Sequence, residues 1–132
     1  MTDVQALFLY RMKQARDTLA DARAMLSGGL TPGSVVNRAY YAMFYAALAL
    51  FLREGIESKT SKHSGVLSLF DREFVHTGKL GREYSRMFHR LFDARQEADY
   101  REFVTCSVED AAEAVEMAER FIRGVAEVVD AD

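Results

Sequence analysis

The stretch Asn37–Gly55, NRAYYAMFYAALALFLREG, decides how this chain folds. It is apolar almost all the way round, and a helix of that kind is normally surrounded by other helices. One polar stripe interrupts it. Ser34, Arg38, Tyr41 and Tyr45 recur at spacings of 4, 3 and 4, which puts them on a single helical face. A guanidinium and two phenols on a mostly buried helix require partners, because an unpaired buried polar group costs about 1–3 kcal/mol. Those partners are another part of the fold, a second copy of the chain, or an anionic ligand.

Outward from this stretch, every neighbouring segment also reads as helix. Pro32 is the only proline, and β-branched residues nowhere alternate with polar ones as they do in strands. A first helix over residues 3–27 carries Val4, Phe8, Met12, Ala15, Leu19, Ala22 and Leu26 at helical spacing, and Gly28-Gly29 stops it. Thr31-Pro32 supplies an N-cap and a first-turn proline for the central helix, which Gly55 ends. A polar loop, residues 56–65, leads into a short helix from Lys62 to Thr77 with Val66, Leu69, Phe70 and Phe74 as its apolar side. Gly78 and Gly81 bracket a turn, and a helix from Arg82 to Ala98 carries Tyr84, Met87, Phe88, Leu91 and Phe92. Ser107-Val-Glu-Asp110 resembles a capping box opening the last helix, whose stripe reads Val108, Ala112, Val115, Ala118, Ile122, Val125 and Val129. Short connections force neighbours to run in opposite directions. The expected fold is therefore all-α, an antiparallel up-and-down bundle of four to five helices, with residues 1–132 as one domain.

Composition narrows the function classes. With 132 residues, 49% hydrophobic and 28% charged, the chain can bury a real core and does not read as disordered. Cys106 is the only cysteine, which excludes an internal disulfide framework and a thiolate zinc site; it reads as a small helix-flanking residue. His76 and His89 have no Cys, Asp or Glu at ligand spacing, so neither a metal nor a cofactor is expected. The first residues, MTDVQALFLYRMKQARD, lack a basic segment followed by an apolar run, so no signal peptide is expected. With no charge-free apolar stretch of membrane-spanning length, the expected compartment is the cytoplasm.

A net charge of −3 argues against broad duplex binding. The charge is uneven, however. Residues 53–101 hold ten Lys and Arg and all three histidines, whereas the tail after Ser107 is dominated by Glu and Asp. A phosphate-bearing ligand would meet the middle of the chain.

Three polar groupings lie in or beside that middle. The first is the stripe with Arg38 and Tyr41. The second is the loop Lys59-Thr60-Ser61-Lys62-His63-Ser64-Gly65, whose ammonium groups, hydroxyls and imidazole stand where a helix N-terminus adds its dipole. The third is Arg95-Gln96-Glu97-Ala98-Asp99-Tyr100, in which Arg95 and Asp99 stand four apart and can pair. No nucleophile elbow is present.

These three motifs in order, N-R-A-Y-Y-A-M-F-Y-A-A, then K-T-x-x-H-S-G-V, then R-Q-E-A-D-Y-x-x-F, resemble the HEPN family (higher-eukaryote and prokaryote nucleotide-binding domain), in its small stand-alone prokaryotic branch. The resemblance covers residues 4–128. It implies a bundle that forms a homodimer, a polar groove near the dimer interface, and a role with nucleotides or RNA. It further implies a minimal nucleotidyltransferase partner and a toxin–antitoxin setting. Ribonuclease members carry Arg-x(4–6)-His for metal-independent RNA cleavage. Here the matching arginine is Arg95, but Tyr100 stands in the histidine position. A phenol titrating near pH 10 is a poor base at neutral pH.

The expected function is nucleotide or RNA binding, with Arg38, Tyr41, Lys59, Lys62, His63, Arg95, Asp99 and Tyr100 forming one ligand surface. Two alternatives are an active metal-independent endoribonuclease toxin, with Arg95 and His63 or His89 as its catalytic groups, and a ligand-free dimerisation module.

Overall fold

The computed structural model of the chain describes residues 1–58, 62–101 and 105–130. Among the described residues five α-helices follow one another: α1 (Asp3–Ser27), α2 (Pro32–Arg53), α3 (His63–Phe70), α4 (Arg82–Tyr100) and α5 (Val108–Asp130). No strand occurs among the described residues, and the helices form a bundle.

Local chemistry sets the ends. Thr2 and Gln5 cap α1 reciprocally: the Thr2 hydroxyl accepts from the Gln5 amide at 3.1 Å, and the Gln5 side chain accepts from the Thr2 amide at 2.8 Å. Gly29 and Gly55 follow α1 and α2 at φ 72 and 69, the left-handed conformation that glycine adopts without strain. Pro32 opens α2 as expected, but Thr31 caps it through its backbone alone. Its side chain makes no capping bond, and its carbonyl accepts from Ser34 and Val35. At the start of α5, Ser107 Oγ accepts from the Asp110 amide at 3.0 Å while Asp110 Oδ2 accepts from the Ser107 amide at 3.1 Å.

The helix expected from Lys62 to Thr77 changes character half-way. From Asp71 to Val75 it widens into a π-helical turn, closed by the His76 amide on the Asp71 carbonyl at 2.8 Å. The wider turn keeps both Phe70 and Phe74 fully buried. Leu67, rather than the half-buried Leu69, completes that face.

α2 is the central helix, packed against α1, α4 and α5. It is long and apolar enough to cross a membrane by length and composition, yet 67% of its most apolar window is buried inside the bundle. Phe70, Phe88 and Phe121 form an aromatic knot beneath it, with centroids 5.1–5.3 Å apart. Burying each such ring contributes about 1.5–3 kcal/mol.

Two stripes differ from the sequence expectation. In α1 the buried run begins only at Met12; Val4 is exposed and Phe8 half-buried. In α5 the buried face is Ala111, Ala114, Val115, Ala118, Phe121, Ile122 and Val125, so Val108 and Ala112 point to solvent. Val115, Ala118, Ile122 and Val125 keep their expected places, and Ala111, Ala114 and Phe121 widen the face away from Val108 and Ala112.

Candidate functional site

Three elements converge on one cluster. α2 supplies Asn37, Arg38, Tyr40 and Tyr41, α3 begins with His63, and the last turns of α4 bring Arg95, Asp99 and Tyr100. α4 runs two residues past its expected end at Ala98, and that extra length places Asp99 and Tyr100 on the helix.

Arg95 is the centre. Its side chain is only 11% exposed, and its guanidinium lies 5.6, 5.3 and 5.4 Å from the ring centroids of Tyr40, Tyr41 and Tyr100. A cation over a desolvated aromatic face gains on the order of 0.5–2 kcal/mol. Nε donates to Asp99 Oδ2 at 3.0 Å and Nη2 to the Tyr100 hydroxyl at 3.1 Å. Asn37 Nδ2 donates to the same Asp99 oxygen at 2.9 Å, which ties α2 to α4. Arg38 then donates twice to Asn37 Oδ1, at 3.2 and 3.0 Å, and lies over the Tyr41 ring at 5.1 Å.

Charge in this cluster is unbalanced. Asp99 answers Arg95, whereas Arg38 has no carboxylate partner among the described residues. The excess of cation over a wall of phenol rings suits a ligand that carries both an anionic group and a flat ring.

His63 closes the opposite side. Its Nδ1 lies 2.9 Å from the hydroxyl of Tyr40, which is fully buried, and its ring packs 4.3 Å from that of Phe44. Burial pushes the Tyr40 phenol well above its ordinary value, against the opposing pull of Arg95. Burial, and then the Arg95 charge, lower the imidazole of His63, so it is held neutral at neutral pH.

Of the residues named from the sequence, Arg38, Tyr41, His63, Arg95, Asp99 and Tyr100 fall within this one cluster. Lys62 is the exposed residue that opens α3, next to His63. Lys59 lies outside the described residues. Of the polar stripe, Ser34 faces solvent and Tyr45 meets the cluster at its edge, 6.0 Å from Tyr41 and 6.4 Å from Phe44 between centroids.

Sequence reasoning missed Asn37 and Tyr40. Tyr40 lies one position off the stripe, on the buried side, and Asn37 meets a residue 62 positions away. Each stood inside the quoted motif, which was the only available signal. Asp71 and His89 also escaped notice as a pair: Asp71 Oδ2 and His89 Nε2 are 2.6 Å apart.

Among the described residues no group of three or more His, Cys, Asp or Glu could hold a metal ion. Cys106 lines a separate hollow of ≈ 190 Å³ with Val36, Leu91 and Met117. Burial and Asp110 raise its thiol, which suits a packed residue rather than a nucleophile.

The HEPN domain profile matches residues 8–128. The chain belongs to the HEPN family. A UPF0332 protein of Thermotoga maritima is 37% identical over 130 residues, covering 98% of this chain and 96% of its own. Two Methanocaldococcus jannaschii proteins carry toxin names. "Putative toxin MJ0142" is 41% identical over 58% of this HEPN chain and half of its own length; "Putative toxin MJ0605" is 34% identical over 74% and 68%. In this HEPN chain the cluster around Arg95 lies within the matched span.

Proposed function

We propose that this HEPN protein binds a nucleotide or RNA segment at the Arg95 cluster, in a toxin-like setting that includes a minimal nucleotidyltransferase. One observation carries the reading. A nearly enclosed guanidinium is held in place by Asp99 and walled by three tyrosines, while a second guanidinium, Arg38, has no carboxylate partner among the described residues. Phosphate pairs with guanidinium through charge-assisted hydrogen bonds, and bases stack on phenols. The toxin names of the two archaeal relatives support the setting.

The working form in this reading is a homodimer whose polar groove adjoins the interface. Apolar side chains left open on α1, Val4, Leu7 and Leu9, are consistent with such an assembly. Sedimentation that finds only monomer at micromolar concentration rules it out.

A second reading, metal-independent RNA cleavage, draws on the Asp71–His89 pair. A carboxylate that orients an imidazole is a known way to set up an acid–base group. Titration with ATP, GTP and short RNAs, followed by gel analysis in EDTA, separates the two. Saturable, salt-sensitive binding without cleavage supports the first. EDTA-resistant cleavage abolished by His89→Ala or His63→Ala supports the second.

A further inference from the structure

Tyr40 is a core residue whose hydroxyl surfaces inside the site. It is fully buried, and its oxygen meets His63 Nδ1 at 2.9 Å. Burial keeps the phenol protonated, so the oxygen carries a hydrogen that needs an acceptor. Two arrangements of that contact are conceivable. If Nδ1–H donated to Tyr40, the buried O–H would lose the acceptor that the described residues give it. If Tyr40 donates to Nδ1, the imidazole proton sits on Nε2 and both groups are satisfied. The second arrangement wins because a buried donor left unpaired is expensive. Nε2 itself has no hydrogen-bond partner among the described residues, and His63 as a whole is only half-buried.

We propose that Tyr40 is a positioning residue that locks His63 as its Nε2–H tautomer, so that His63 offers a ligand's phosphate oxygen a hydrogen rather than a basic nitrogen. This rests on the nucleotide- or RNA-binding reading of the Arg95 cluster. The one basic nitrogen of the ring, Nδ1, is occupied by the phenol, so His63 cannot take a proton from a ribose hydroxyl without breaking that bond. The neighbouring Arg95 charge further disfavours an imidazolium. His63 therefore recognises an anion as a neutral donor beside a permanent cation.

Long-range ¹H–¹⁵N correlation spectra of labelled protein at neutral pH read the tautomer without any ligand. The expected result is a protonated Nε2 and an unprotonated Nδ1 in His63. Tyr40→Phe, checked for an intact fold by its melting curve, should release the ring into exchange between tautomers. It should also weaken ATP binding about 2–10-fold, the equivalent of one net hydrogen bond. His63→Gln, whose amide nitrogen stands near the Nε2 position, should retain more ATP affinity than His63→Asn, whose amide stands near Nδ1. An Nδ1–H tautomer in the unaltered protein overturns the proposal even if Tyr40→Phe does not fold. So does a Tyr40→Phe spectrum or ATP affinity unchanged from the parent, or a His63→Asn variant that binds better than His63→Gln. Failure of the unaltered protein to bind ATP or RNA at all counts against the binding reading instead, because the tautomer is read independently.

Discussion

Arg95 meets Tyr100 twice: its guanidinium lies 5.4 Å from the ring centroid, and Nη2 donates to the hydroxyl at 3.1 Å. Tyr100 is nonetheless 70% exposed, so the pair forms the outer lip of the site rather than part of its floor. Tyr100 stands where the resemblance to ribonuclease members led one to expect a histidine, and its hydroxyl accepts a hydrogen bond from the arginine.

It follows that the unaltered protein should leave RNA intact. In a gel assay with EDTA present, Tyr100→His should raise cleavage above that baseline, since it supplies a group titrating near neutrality at the same distance along α4 from Arg95. Robust cleavage by the unaltered protein contradicts this.

Arg95→Ala should weaken ATP or RNA binding about 10–100-fold, the range for removing charge-assisted hydrogen bonds worth about 1.5–3 kcal/mol. Arg95→Lys should recover little of that, because a lysine ammonium lacks the planar fork and the flat face that stacks among phenols. Calorimetric titration at two salt concentrations checks both, with the unaltered protein showing the steeper loss of affinity in salt.

His63 should titrate below the ordinary histidine value of about 6.5, as burial and then Arg95 disfavour its charged form. A folded-state value lower than the unfolded one means that the unfolded chain binds the extra proton. The His63 contribution to stability is therefore complete above pH ~6.5 and declines as pH falls toward the folded value. An NMR titration of its ring protons should show the low midpoint, and Arg95→Ala should move it part of the way back up.

Two glycines predict opposite signs. An alanine Cβ at Gly124 collides with the Tyr84 ring, so Gly124→Ala should destabilise by about 1–3 kcal/mol despite alanine's better helix propensity. At Gly33 the added Cβ stands 3.5 Å from Ala98, an ordinary contact, so Gly33→Ala should be neutral or stabilising by up to about 1 kcal/mol. Thermal denaturation of the two variants side by side decides it.

Much of this molecule was legible in the chain because helix signals are local. Pro32, the glycine stops and the Ser107–Asp110 cap each act within a few residues, and each marks a boundary that the structure contains. The site was legible in part for the same reason: Arg95 and Asp99 pair within one turn. Asn37 with Asp99, Tyr40 with His63 and Asp71 with His89 are contacts between helices, and no spacing rule reports them. The α5 stripe was misread at Val108 and Ala112 alone, while Val115, Ala118, Ile122 and Val125 are buried as expected.

The Tyr40 side chain also separates two kinds of selection. Phenylalanine would fill the same space in the core, so a requirement to fold accounts for the ring but not for its oxygen. Among descendants of a common ancestor, drift from Tyr to Phe at this position would then mark lineages that kept the scaffold and abandoned its task. That single atom is a sharper record of use than the exposed charges on the surface, which solubility alone could retain.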